Sequence, residues 1–212
     1  ASGQEFGSRQ GTGIALGDVD LDGDLDVLLT HRSQSARLFL NDGTGGFTDS
    51  EQRLPSGAYW DVVLADFDAD GDLDAVLACY RGPNVVLIND GTGNIEQAGS
   101  ELGDGPTYDV AVDDLDGDGD LDLFAANYEG PNVVWLNDGA GSFERSAQTF
   151  DEANNRGVAL GDVDGDGDCD AVVPRDFGET STVWLNDGTG TFSLLDGALE
   201  TELVVNQTPR SD

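Results

Sequence analysis

A nine-residue phrase, Asp-x-Asp-x-Asp-Gly-Asp-x-Asp, stands at four places 48 residues apart, opening at Asp18, Asp66, Asp114 and Asp162. Carboxylates at alternate positions around a glycine bend suit a hard cation that takes about 6 to 8 oxygen ligands. Calcium is the expected occupant, at four sites. By analogy with calcium loops, positions 1, 3, 5 and 9 supply side-chain ligands. These are Asp18, Asp20, Asp22 and Asp26; Asp66, Asp68, Asp70 and Asp74; Asp114, Asp116, Asp118 and Asp122; and Asp162, Asp164, Asp166 and Asp170. Position 7, held by Asp24, Asp72, Asp120 and Asp168, joins each site through its backbone carbonyl. The helix-loop-helix calcium fold is excluded, because it needs a bidentate Glu at position 12, and here that position holds Leu29, Leu77, Ala125 and Val173.

An empty loop of this kind resists closing. Two unit charges about 4 Å apart repel by roughly 1 kcal/mol in bulk water and by about 4 kcal/mol at an effective dielectric near 20. Filling a site at about ten times its dissociation constant adds roughly 1.4 kcal/mol by mass action. Four filled sites then reach about 5 to 6 kcal/mol, comparable to the stability of an ordinary domain. The metal is therefore expected to be structural.

The same 48-residue period organises the apolar residues around the loops. Before each loop stands a short apolar run, Ile14 to Gly17, Val62 to Ala65, Val110 to Asp113 and Val158 to Gly161. With both alternating positions apolar, these runs predict strands buried on both faces. A second run follows each loop, at Val27 to Thr30, Ala75 to Ala78, Leu123 to Ala126 and Ala171 to Pro174, where Pro174 is expected to end its strand early. A third, at Leu38 to Leu40, Val86 to Ile88, Val134 to Leu136 and Val183 to Leu185, leads into Asn-Asp-Gly-x-Gly at Asn41, Asn89, Asn137 and Asn186. Asn, Asp and Gly tolerate positive φ, so this is a hairpin signal. It ends at Phe47, Ile95, Phe143 and Phe192, each opening a fourth, outer strand.

Four short antiparallel strands per repeat, in tandem, predict an all-β protein built as a β-propeller of four blades, at approximately 11–58, 59–106, 107–154 and 155–203, within one domain spanning 1–212. A solenoid of stacked hairpins is the structural alternative. Four blades are the low end of the propeller range, so a closed ring of four and a half-ring that completes a larger propeller by oligomerisation both remain open. Residues around Phe6 are read as an outer strand able to complete the last blade, and Glu200 to Val205 as a tail able to pair with another molecule.

The loops and the Asn-Asp-Gly-x-Gly-x-Phe turns resemble the calcium-binding FG-GAP and VCBS-type repeats of integrin α-subunit propellers and of many secreted bacterial proteins, over roughly residues 11 to 195. The match is closer to the bacterial type. Of the family's Gly-Ala-Pro element, Gly82-Pro83 and Gly130-Pro131 remain. The resemblance implies a calcium-stabilised propeller, commonly of seven blades where this chain encodes four.

Composition narrows the partners. The net charge is -34, with 20 of the 43 acidic residues in the four loops and 23 outside them against 9 arginines and no lysine. Such a surface repels phosphate backbones, so nucleic acid is not an expected partner. No run of eighteen apolar residues occurs, so membrane insertion is not expected either. Cys79 and Cys169 are read as free, structural thiols. The chain opens on Ala1, which neither shows nor excludes an export signal. Weak extracellular calcium modules work near about 10⁻⁴ to 10⁻³ M, so a secreted or cell-surface location is expected, where Asn206 offers an Asn-Gln-Thr glycan acceptor pattern.

Antiparallel neighbours place the calcium loops and the Asn-Asp-Gly turns on one face. On the other, where the repeats differ, stand Trp60, Tyr80, Tyr108, Tyr128, Arg156 and Arg175. Aromatic rings beside arginines predict a surface for a glycan or an extracellular protein, while the same rings also suit gap-filling between blades. His31 as the lone histidine and the lack of lysine leave little for acid–base catalysis. The chain is therefore read as a binding or adhesion module and not an enzyme. A self-assembling structural unit and a carbohydrate-active enzyme using Glu129, Asp176 or Glu179 are the alternatives.

Overall fold

The computed structural model describes residues 6, 11–97, 101–176 and 178–195. Each repeat forms one four-stranded antiparallel sheet whose strands pair in chain order. The inner strands are Gly11–Gly17, Tyr59–Ala65, Thr107–Asp113 and Ala159–Gly161. The second strands are Asp26–His31, Asp74–Cys79, Asp122–Asn127 and Asp170–Val173, the last cut short by Pro174. Third strands run over Arg37–Asn41, Val85–Asn89, Val133–Asn137 and Thr182–Asn186, and outer strands over Phe47–Asp49, Ile95–Gln97, Phe143–Arg145 and Phe192–Leu194. Among the described residues there is no helix, and so none long and apolar enough to cross a membrane.

The apolar cores lie between blades. Val19, Leu28 and Leu38 of the first blade close on Val62, Leu77 and Leu87 of the second. Phe67, Val76 and Val86 close on Leu123 of the third, and Leu115, Phe124 and Val134 close on Ala171, Val173 and Trp184 of the fourth. Each sheet thus buries both faces only where it has a neighbour on both sides, the general condition for a stacked repeat.

That condition fails at the two ends, and it corrects the expectation that every inner strand is buried on both faces. The inner strands pack first on second, second on third and third on fourth, and the fourth is not packed against the first. Ile14 and Leu16 are each 60% exposed, whereas their counterparts Val62 and Leu64 pack toward the first blade. At the far end Ala159 is exposed and Val163 is 51% exposed. The molecule is a propeller-like arc of four blades, and the ring is open. Phe6 also departs from expectation. It meets Phe39 and Phe47 edge to face, both at 5.1 Å, so it belongs to the first blade and not to the last. Glu200 to Val205 and Asn206 lie outside the described residues.

Candidate metal centres and the opposite face

In each acidic loop the first aspartate folds the chain back on itself. Asp18, Asp66, Asp114 and Asp162 accept the main-chain N–H of the glycine at position 6, at 2.9, 3.1, 3.0 and 3.2 Å. Asp22, Asp70, Asp118 and Asp166 accept the N–H of position 7 at 2.9 to 3.0 Å. Two positions take positive φ. Gly23 at position 6 has φ 95°, and position 4 is left-handed even when it is not glycine, with φ 58° at Leu21 and 59° at Ala69 against 79° at Gly117 and 86° at Gly165. The sequence reading singled out only the first.

This winding brings carboxylates together. Asp18, Asp20 and Asp22, and likewise Asp66, Asp68 and Asp70, each offer an oxygen within 4.8 Å of the others. In the third and fourth loops the groups are Asp114, Asp116 and Asp122, and Asp162, Asp164 and Asp170. Burial, then repulsion from neighbouring carboxylates such as Asp26, Asp70 and Asp118, raises Asp20, Asp68 and Asp116 above the usual carboxylate range. One oxygen each of Asp20, Asp66 and Asp116 is buried without a hydrogen-bond partner. A buried carboxylate oxygen left without a donor is costly, and an all-oxygen donor set with such atoms fits a hard divalent cation.

Position 9 has a second task that the spacing did not reveal. Asp26, Asp74, Asp122 and Asp170 are fully buried. Their Oδ2 atoms accept the N–H of Val19, Phe67, Leu115 and Val163, all at 2.9 Å. Their Oδ1 atoms accept the N–H of Asn41, Asn89, Asn137 and Asn186 at 2.8 to 2.9 Å. Burial nonetheless pushes Asp74 and Asp122 up to about 6. The position-7 carboxylates lie outside the clusters and against the turn glycines: a Cβ at Gly43 would come 2.5 Å from Asp24 Oδ2, and Asp72, Asp120 and Asp168 lie against Gly91, Gly139 and Gly188 in the same way. The loops and the Asn-Asp-Gly turns thus share one face, as the alternation of strands requires.

On the opposite face a bulge positions the aromatics. Tyr59 pairs with Cys79 and Asp61 with Ala78, so Trp60 is an extra residue with no partner in the ladder; Tyr108 is the same between Thr107 and Asp109. Such a bulge re-aims the side chain. Trp60 stacks on Tyr108 at 4.6 Å and 25°, and Tyr108 meets Tyr128 at 4.8 Å. Tyr80 sets its edge against Trp60 and Tyr108 at 5.8 and 5.2 Å. Arg32 lies over Trp60 at 4.9 Å and Arg156 over both Tyr108 and Tyr128 at 5.3 Å. Five of the six predicted residues therefore meet in one cluster: the rings of Trp60, Tyr80, Tyr108 and Tyr128 are half-buried, while Arg156, which also donates to Asp176, and Arg32 lie exposed over them. Arg175 is directed to Asp151 instead.

Two further carboxylates escaped the sequence reading. Asp61 Oδ2 accepts the N–H of Val110 at 3.3 Å, and Asp109 Oδ2 accepts that of Val158 at 2.8 Å, each tying one inner strand to the next. Burial, then a hydrogen bond to the Asp109 carboxyl, pushes Asp61 up to about 7. Cys79 and Cys169 are free thiols, and Cys169 donates to Asp113 at 3.0 Å.

The profile of the FG-GAP-like repeat matches three overlapping stretches, residues 18–77, 66–122 and 114–173. No curated protein sequence matches the chain. Among solved structures, the chain is similar to one described as BBS1N in complex with ARL6DN, soaked with lead, with a TM-score of 0.59 and 8% identity over 88% of this chain and 56% of that one. It is also similar to the V. cholerae biofilm matrix protein Bap1, with a TM-score of 0.44 and 18% identity over 84% of this chain and 29% of that one. The chain thus spans little more than half the length of the first and under a third of the second.

Proposed function

Because the chain belongs to the FG-GAP-like repeat family, we propose that it is a calcium-stabilised binding or adhesion module working outside the cell, with the face opposite the loops as its contact surface. Asp18, Asp20, Asp22 and Asp26, and their counterparts in the other blades, would hold the ions. Bound calcium supplies charge neutralisation and no chemistry. The chain's own residues do the rest: position 1 winds the loop, and position 9 ties it to the Asn-Asp-Gly turn. Three clusters with an orphaned carboxylate oxygen support this assignment.

The observation that carries the binding reading is the continuous ladder of Arg32, Trp60, Tyr108, Tyr128 and Arg156, aimed off the sheets by two bulges. Aromatic rings with a polar tip, and arginines laid over them, are the side chains that dominate contact energy in recognition surfaces. In a chain with net charge -34, Arg32, together with Arg156 where it holds Asp176, also marks where an acidic sugar or acidic protein segment meets least repulsion. Glycan arrays and pull-downs in millimolar calcium test this, comparing the parent with Trp60→Ala, Tyr108→Ala and Tyr128→Ala. Binding by the parent that the substitutions reduce at least tenfold is expected. Identical profiles for folded parent and variants remove the proposal.

A further inference from the structure

Neighbouring blades are joined by one lock, used three times. First, the turn asparagine of each following blade donates to a loop carbonyl of the blade before it: Asn89 Nδ2 to Val19 O at 2.7 Å, Asn137 to Phe67 and Asn186 to Leu115 at 2.8 Å. Second, the residue at loop position 8 covers the end of the preceding inner strand. A Cβ at Gly17 would lie 2.5 Å from Leu73 Cδ1, and Cys169 reaches Asp113. Third, a turn glycine of the following blade sits against the position-3 aspartate, with Gly93 facing Asp20, Gly141 facing Asp68 and Gly190 facing Asp116.

The two ends of the arc carry the unmatched halves of this lock. At the leading end, Leu25 is 57% exposed, Gly45 has nothing within 4 Å of where a Cβ would stand, and the Asn41 side-chain amide donates, among the described residues, to Leu25 O of its own blade. At the trailing end, Gly161 is equally open, and Val163 is 51% exposed where Val19, Phe67 and Leu115 are 0 to 1% exposed. Leading and trailing halves are of opposite kind, so neither end matches itself, and each matches the other.

We propose that the trailing face of the fourth blade receives the leading face of the first blade of a second copy of this chain, through the same contacts that join blades within it. The pairing is heterologous, and such contacts close into a ring when the rotation allows. Two four-blade arcs meeting at both ends make an eight-bladed ring, which is within the range of propellers, about four to eight blades. The contact is continuous with an interface already built three times in the molecule, and its apolar part is supplied by Ile14, Leu16 and Leu25, three of the large exposed apolar side chains. Phe6 fills the outer part of the leading face against Phe39 and Phe47, so docking uses the inner strand and the loop. This inference stands apart from the glycan or protein reading of the opposite face and does not depend on it.

The test is the mass of the chain by light scattering in millimolar calcium, over micromolar to submillimolar concentration, together with cysteine trapping. Leu25→Cys and Gly161→Cys both alter solvent-facing positions of the single chain, so each variant is expected to fold, as its thermal melt will verify. A species of twice 22.2 kDa, and a disulfide-linked pair that forms in the mixture of the two variants and in neither alone, are expected. Val163→Arg is expected to return the mass to one chain, with a melt matching that of the parent at concentrations low enough for the parent to be a single chain. A single-chain mass at every concentration overturns the proposal, whether the faces stay bare or a longer form of the chain covers them with its own repeats. Equal trapping in the unmixed variants overturns it as well.

Discussion

Asp74 Oδ1 accepts the main-chain N–H of Asn89 at 2.9 Å, while its other oxygen takes that of Phe67, so one buried carboxylate fastens the acidic loop to the hairpin turn of the same blade. The relationship recurs in all four blades. It makes position 9 a structural residue in its own right, whatever ion the loop holds.

Asp74→Ala strands two buried N–H donors. Each unsatisfied donor costs about 1 to 3 kcal/mol, so a loss of at least about 2 kcal/mol is expected. Urea unfolding in chelator, which takes the metal out of the comparison, measures it. A change under about 0.5 kcal/mol, the ordinary range for a surface substitution, contradicts the fastening role.

Removing calcium is expected to lower the melting temperature markedly. At about ten times its dissociation constant each ion contributes roughly 1.4 kcal/mol, and four contribute about 5 to 6 kcal/mol. Paired thermal melts with and without chelator, plus metal analysis of the purified chain, check this. Identical melts and no bound metal would remove calcium from the account.

The Asp61 carboxyl, raised to about 7 in the folded chain from 3.8, binds a proton that the unfolded chain has already released. Stability from this group is therefore fully present below 3.8 and declines as pH climbs toward 7. Asp61→Asn keeps the site neutral at every pH. The difference in stability between variant and parent is expected to shift in the variant's favour between pH 4 and pH 8, read by denaturant unfolding at fixed calcium. A difference independent of pH contradicts the raised Asp61 carboxyl.

Leu21 and Ala69 hold left-handed backbone at φ 58° and 59°, which costs an L-residue about 1 to 2 kcal/mol. Glycine removes that strain and adds back about 0.5 to 1 kcal/mol of chain entropy. Leu21→Gly, at a position 55% exposed and so losing little packing, is expected to gain about 0.5 kcal/mol. A higher urea midpoint for the variant is the readout, and a lower one contradicts the strain argument.

Much of the fold was legible because it is local. The loop spacing, the third-strand runs ending in Asn-Asp-Gly and the stop at Pro174 each involve residues close in the chain, and all appear in the sheets as expected. Alternation of antiparallel strands was enough to put loops and turns on one face. The second role of Asp26 and Asp74 was hidden because a ligand and a main-chain acceptor need the same carboxylate. Asp61 and Asp109 stand one repeat apart, but they were hidden because only two of the four repeats carry the aspartate, with Gly13 and Gly157 in its place in the others.

The sequence by itself determined the repeat, its strands and the acidic loops, since period and residue type act within one blade. Only the tertiary structure decided which blades have neighbours. Ile14 and Val62 hold the same place in their repeats, yet one is 60% exposed and the other 5%, because burial between blades depends on what stands alongside. The same holds for the opposite face, where a bulge in the ladder, and not the identity of Trp60 or Tyr108, turns the rings onto one another.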